Sequence, residues 1–188
     1  MRPTRDDAWR LLNQYTSNPS LIKHALAVEA AMRAYAAKYG QDPELWGIAG
    51  LIHDFDYEEH PTAEEHPMAG VAVLREMDWP EEIIEAVEGH GTHLGVPRTS
   101  LMARALFAVD ELTGLVIACA LVRPSKSVAD LKVKSVRKKW GDKAFARGVN
   151  RGDIELGMSE LGVDRNEHIA LVIEALKSVA EELGLAGA

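Results

Sequence analysis

Three polar positions interrupt stretches that would otherwise be apolar. His24 falls on the stripe made by Leu21, Val28, Ala31, Met32 and Tyr35, and its neighbours at helical offsets are Ser20, Leu21, Ala27 and Val28, none a carboxylate. Asp110 closes the run Ala105-Leu106-Phe107-Ala108-Val109 and has Leu106, Phe107, Thr113 and Gly114 at the same offsets. A carboxylate buried there without a partner is very costly, so Asp110 requires one from elsewhere in the fold, and a metal ion is a good one. His53-Asp54 ends the most hydrophobic segment of the N-terminal half. Two imidazoles and two carboxylates suit a divalent transition ion, with Mn, Fe, Co, Ni and Zn all acceptable to such a set.

A second group follows. His66 stands before Pro67 at a helix start, and His90 ends the next helix, 24 residues on. Asp54 can bridge to a second ion held by His66 and His90, so the chain is expected to carry one or two metals. Two ions about 3.5–4 Å apart clamp a phosphoryl group and ionise a water between them. Asp54 is then central to catalysis. The leaving oxygen needs a proton, for which His93 is the first candidate and His60 the second. The plainer alternative for His66 and His90 is that of cations at helix ends.

These residues need helices to position them. Thr4 can cap a short helix, Asn18-Pro19 opens a second, and Asp42-Pro43 starts a third that runs to His53-Asp54. Pro67 and Pro80 start two more, and Ser100 caps a long, nearly all-apolar helix to about Val122. A basic helix is expected from about Ser127 to Trp140, short helical pieces over 142–161, and a last helix from Asp164 to Leu183. The acidic stretch 55–66 reads as a solvated loop. With no convincing strand pattern, the expectation is an all-α fold of about eight helices. It would form one domain over 1–188, with a core over about 20–114 and a helical extension over 123–188.

Composition agrees. Of 188 residues, 47% are hydrophobic, enough for one core, and 27% are charged, which argues against a disordered chain. A net charge of −8 argues against a protein that coats nucleic acid. The lone cysteine, Cys119, allows no intrachain disulfide. No leader-like segment or membrane-length apolar run is visible, so the expected location is the cytoplasm.

The order His24, His53-Asp54, Asp110 on a helical chain resembles the HD-domain superfamily of metal-dependent phosphohydrolases, over roughly 20–114. The added His66 and His90 are similar to its dinuclear branch, and His66-Pro67-Met68-Ala69-Gly70 is similar to the His-Pro-x-x-Gly step of that branch. Two departures stand out. Phe55-Asp56 follows His-Asp where the common HDIG subgroup has Ile-Gly, and no Gly-Tyr-Pro follows His93, so cyclic-dinucleotide cleavage is not implied. The resemblance implies hydrolysis of a small phosphorylated compound, with nucleotides the leading class. Two other readings share the ligands: an HD-type di-iron oxygenase, and a nucleotide- or metal-sensing module without turnover.

Between Arg123 and Arg147 stand nine Lys/Arg against two Asp/Glu. Arg123, Lys126, Lys134, Arg137 and Lys138 are therefore candidates for binding substrate phosphate. The alternative is the solvated face of an amphipathic helix with Val128, Leu131, Val136 and Trp140 inward. The last helix has a wide apolar face that could pack internally or form a homo-oligomer.

Overall fold

The computed structural model describes residues 2–187; Met1 and Ala188, the ends of the expected domain, lie outside them. The helices are α1 (Arg5–Tyr15), α2 (Pro19–Lys38), α3 (Pro43–Ile52), α4 (Met68–Glu76), α5 (Glu81–Gly89), α6 (Leu101–Leu121), α7 (Val133–Trp140), α8 (Arg151–Leu161), α9 (Arg165–Lys177) and α10 (Ala180–Leu183), with a 3-10 turn at Thr92–Leu94. The fold is all-α as expected, with more helices than expected. Among the described residues the β contact found is an isolated bridge between Ser127 and Ala186.

The helix starts follow side-chain chemistry. Thr4 and Asp7 form a reciprocal capping box. The Asn18 side chain accepts from Ser20 N at 2.8 Å, Asp42 from Glu44 N at 2.9 Å, Ser100 from Ala103 N at 3.1 Å and Asp164 from Asn166 N at 2.8 Å. Each satisfies an N–H that the helix itself leaves free.

Helices α2 and α6 form the centre. α2 packs against α3, α6 and α9, while α6 also meets α5, α8 and α9. That surround explains why α6 is apolar on nearly every face. Met32, Tyr35, Ile48, Leu51, Leu106 and Leu112 are all fully buried between these elements. Gly50 permits the close approach of α3 to α2: a Cβ there would lie 2.9 Å from the Val28 carbonyl oxygen, so any side chain would push α3 off α2.

The C-terminal third departs from the sequence pattern. The basic helix begins at Val133 instead of Ser127, because Val128 N donates to Leu185 O at 2.9 Å and Val128 is buried in the core. Residues 142–149 form turns, and α8 begins only at Arg151. The expected last helix divides at Ser178–Val179, and Gly184 in the left-handed region (φ 69) turns the chain back toward Val128. Tertiary pairing thus overrides helical periodicity at both places. No helix among the described residues is long and apolar enough to cross a membrane.

Candidate metal centre

His53 and His90 each occupy the residue just after a helix, α3 and α5 respectively. Each turns its ring back on its own helix end: His53 Nδ1 donates to Gly50 O at 2.8 Å, and His90 Nδ1 to Val87 O at 2.5 Å. A helix end leaves carbonyls free, so the same bond satisfies an orphan acceptor and fixes the tautomer. In the neutral form of each ring Nε2 is then left as an acceptor.

His66 is fixed by a different device. Its Nδ1 donates to Asp56 Oδ1 at 2.9 Å, while Asp56 Oδ2 accepts from Gly70 N at 2.8 Å. Pro67 gives α4 no side-chain cap, and Asp56 supplies one from the preceding turn. Gly70 makes room for it, since a Cβ there would lie 2.9 Å from Asp56 Cγ. The stretch that reads as a solvated loop therefore contains a carboxylate only 1% exposed, with Phe55 beside it fully buried. Thr16 Oγ1 donates to Phe55 O at 2.9 Å, and Tyr15 packs edge-on to the Phe55 ring at 5.2 Å.

The nitrogens and carboxylates converge in two groups that share Asp54. In the first, His24 Nε2 lies 2.9 Å from Asp110 Oδ1, 3.2 Å from His53 Nε2 and 3.6 Å from Asp54 Oδ2. His53 Nε2 lies 3.4 Å from both Asp54 Oδ2 and Asp110 Oδ1. In the second, Asp54 Oδ1 lies 3.2 Å from His66 Nε2 and 3.0 Å from His90 Nε2, and these two nitrogens are 3.1 Å apart.

This is the donor set a divalent ion takes. With both rings neutral and protonated on Nδ1, His66 Nε2, His90 Nε2 and Asp54 Oδ1 face one another as acceptors, an arrangement that calls for positive charge, from a proton or a metal ion, between them. Ligand atoms at right angles on one ion, with bonds of about 2.1 Å, lie about 3.0 Å apart. The spacings of 3.0, 3.1 and 3.2 Å in the second group match that value, while those of the first group run from 2.9 to 3.6 Å.

The titration behaviour points the same way. Burial opposes charge on His53, yet Asp54 and Asp110 outweigh it and raise its pKa well above the usual imidazole range. His66 is pushed up to about 9, with burial opposed by hydrogen bonds to Asp54 and then Asp56. Burial also works against the charged forms of Asp54 and Asp110, and His53 leads the groups that hold both well below the usual carboxylate range. All four shifts express one preference, for positive charge in the middle of the cluster.

A cavity of about 380 Å³ opens on the centre, lined by His24, Asp54, His66, His90 and Asp110 together with His93 and others. A larger cavity, about 780 Å³, lies among α1, α2 and α9 and contributes no group of metal-holding side chains among the described residues. His93 reaches the centre's cavity, with Nε2 donating to the His66 carbonyl at 3.0 Å. His60 lies outside the lining and pairs with Glu65 at 3.4 Å.

The five basic candidates also lie outside the lining. Arg123 is engaged with Asp130 at 2.8 and 3.1 Å, and Lys126 occupies a tight turn with φ 47. Lys134, Arg137 and Lys138 are on α7, which buries Val136 and so turns its basic side outward. The sequence reading missed Asp56, hidden in an acidic run, and the cavity residues Glu111 and Asp153. Burial, then the Asp110 charge, raises the pKa of Glu111; burial raises that of Asp153 against the opposing charge of Arg98.

An all-α bundle that gathers four histidines and two aspartates in two groups with a shared carboxylate defines the class: a helical protein with a centre able to hold divalent metal. The HD domain family model matches residues 21–115, and the chain belongs to that family, the HD-domain superfamily of metal-dependent phosphohydrolases. It is 32% identical over 101 residues to Ribonuclease Y of Lawsonia intracellularis, covering 53% of this chain and 19% of that protein. It is 29% identical over 104 residues to Ribonuclease Y of Lactobacillus acidophilus, covering 54% and 19%. The chain thus matches about a fifth of the length of these curated relatives. No solved structure matches.

Proposed function

We propose that the chain is a metal-dependent phosphohydrolase acting on a small phosphorylated compound, with nucleotides the leading class. The observation that carries this reading is the division of one carboxylate: Asp54 gives Oδ2 to the His24–His53 side and Oδ1 to the His66–His90 side. Divalent ions held by the two groups supply Lewis acidity to phosphoryl oxygens and lower the pKa of a water.

The chain's own residues do the remaining work. The carbonyls of Gly50 and Val87 and the Asp56 carboxylate hold three imidazoles in the tautomer that presents Nε2. His93 commits its Nε2–H to the His66 carbonyl, which leaves Nδ1 as the atom that carries and releases a proton to the leaving oxygen. The relatives' name denotes action on RNA, which supports phosphoryl chemistry in the shared segment. A net charge of −8 and a cavity of about 380 Å³ favour a small compound over a polymer.

The test is metal content per chain, measured by elemental mass spectrometry on protein purified without chelator or metal-binding tag, followed by phosphate release from a panel of phosphate esters. About two transition ions per chain and release from a small ester are expected. Absence of metal even after reloading would overturn the reading. Iron with oxygen uptake would redirect it to the oxygenase, and ligand-induced stabilisation without product to a sensing module.

A further inference from the structure

The part of the cavity wall formed by α6 and α8 carries acidic charge alone. Glu111 follows Asp110 on α6, Asp153 lies in the first turn of α8, and both line the cavity. With Asp54 and Asp110 they make four carboxylates, and among the described residues no lysine or arginine lines the same space. Glu111 and Asp153 are joined through Asn150, whose backbone N–H donates to Glu111 Oε2 at 3.0 Å and whose side-chain amide donates to Asp153 Oδ2 at 2.7 Å. Each carboxylate therefore keeps acceptor capacity to spare.

The wall is braced from behind. The Arg151 guanidinium donates to the carbonyls of Phe145, Ala146 and Val149 at 2.5, 2.6 and 2.9 Å, winding the preceding turn around itself and fixing Asn150. The Arg98 charge is already committed: its guanidinium lies 3.7 Å over the Phe107 ring and binds Glu160 at 2.6 and 2.8 Å. Neither Glu111 nor Asp153 belongs to a group that could hold a further metal among the described residues. Four carboxylates offset the charge of two divalent ions, so the loaded site has little positive charge to spare for a second or third phosphate.

We propose that Glu111 and Asp153 determine specificity, accepting hydrogen bonds from adjacent hydroxyls of a singly phosphorylated compound and disfavouring polyphosphates. The phosphate half of this inference rests on the phosphohydrolase reading; the hydroxyl half rests on the wall itself. Carboxylates that accept from a ribose hydroxyl are a recurrent device for reading a sugar. The diol could be that of a nucleoside monophosphate or of a free sugar phosphate.

The experiment uses the metal-loaded full chain with adenosine 5′-monophosphate, its 2′-deoxy analogue, adenosine triphosphate, glucose 6-phosphate, 2-deoxyglucose 6-phosphate and 2-aminoethyl phosphate. Removing one hydroxyl of the preferred diol is expected to lower kcat/KM by about 10-fold or more, because the carboxylate facing it loses its donor. The triphosphate is expected to be poorer than the monophosphate by a similar factor. Whichever parent shows the hydroxyl effect identifies the source of the diol. The near-isosteric double variant Glu111→Gln/Asp153→Asn should shrink both preferences to within about 2-fold.

Equal turnover of diol and deoxy compounds by the wild type would overturn the inference, as would a double variant that keeps the preference. Stronger preference for 2-aminoethyl phosphate would overturn the diol in favour of a cation. If no ester is hydrolysed, the phosphohydrolase reading fails, and thermal unfolding decides the rest. A larger upward shift with the diol than with its deoxy analogue would uphold the wall's role, and equal shifts would overturn it.

Discussion

His24, His53 and Asp110 come from α2, the end of α3 and the middle of α6, helices that meet within the core. His66 and His90 come from the turn before α4 and the residue after α5. On the first side, side-chain positions follow from helix packing, with Gly50 setting the contact between α2 and α3. On the second, His66 depends on Asp56, itself held by Gly70 N. One centre thus has a side fixed by the core and a side fixed by a short relay of hydrogen bonds. The two should respond differently to the same kind of perturbation.

Asp54 belongs to both sides, so removing it has the largest expected effect. Asp54→Ala should lose both ions and lower turnover by at least about 10³-fold, the scale of losing a charge stabiliser outright. Elemental analysis beside a phosphate-release assay checks this. A variant that kept two ions would show that the two groups do not share this carboxylate.

The packing behind the first side has its own titrating group. His168 is fully buried; its Nε2 donates to Ala108 O at 2.8 Å, and its Nδ1 accepts from the Tyr35 hydroxyl at 2.5 Å. Burial lowers its pKa from 6.5 to about 4, so the folded chain holds it neutral. The folded value lies below the unfolded one. Stability from this group is therefore complete above about pH 6.5 and lost as pH falls toward 4, a change of about 3 kcal/mol. Comparing wild type with His168→Gln by denaturant unfolding isolates the contribution. The wild type's advantage should shrink by that amount across the window, and a constant difference would show that His168 does not titrate with folding.

The relay on the second side is tested by Asp56→Asn. The amide weakens the hold on the His66 Nδ1 proton, and loss of such an orienting partner costs about 10–100-fold in metal affinity. Titration with metal should show one weakened site and one unchanged. Equal weakening of both would break the distinction between the core-held and relay-held sides.

How much of this was legible beforehand follows the same division. His24 and Asp110 stood out because each is a polar misfit on an apolar helix face, and burial of a helix face is readable from periodicity. The caps Thr4, Asn18, Asp42, Ser100 and Asp164 were readable because capping is local chemistry. Asp56 was not, because among Glu58, Glu59, Glu64 and Glu65 it looks like solvated charge. Its burial arises only when Gly70, distant in sequence, admits it. Glu111 and Asp153 escaped for the same reason: only α8 packing on α6 brings them to one cavity. The late start of α7 depends on Val128 meeting Leu185 across the chain, which no local pattern encodes.

The smallest expected effect comes from the basic segment, singled out by charge alone. α7 turns Lys134, Arg137 and Lys138 away from the buried Val136, and none of them lines the cavity. Exposed charges separated from a site by more than about 8–10 Å of salt solution are largely screened from it. The triple substitution of these residues by Ala should therefore leave kcat/KM for a small phosphate ester within about 2-fold at physiological salt. Unfolding free energy should change by no more than about 0.5 kcal/mol per site, the range for surface positions without special contacts. Lowering the salt sharpens the measurement, because a field acting at a distance grows as screening falls. A loss of kcat/KM that deepens at low salt would show the basic face steering substrate toward the centre. A loss independent of salt would mean that α7 contacts the substrate directly.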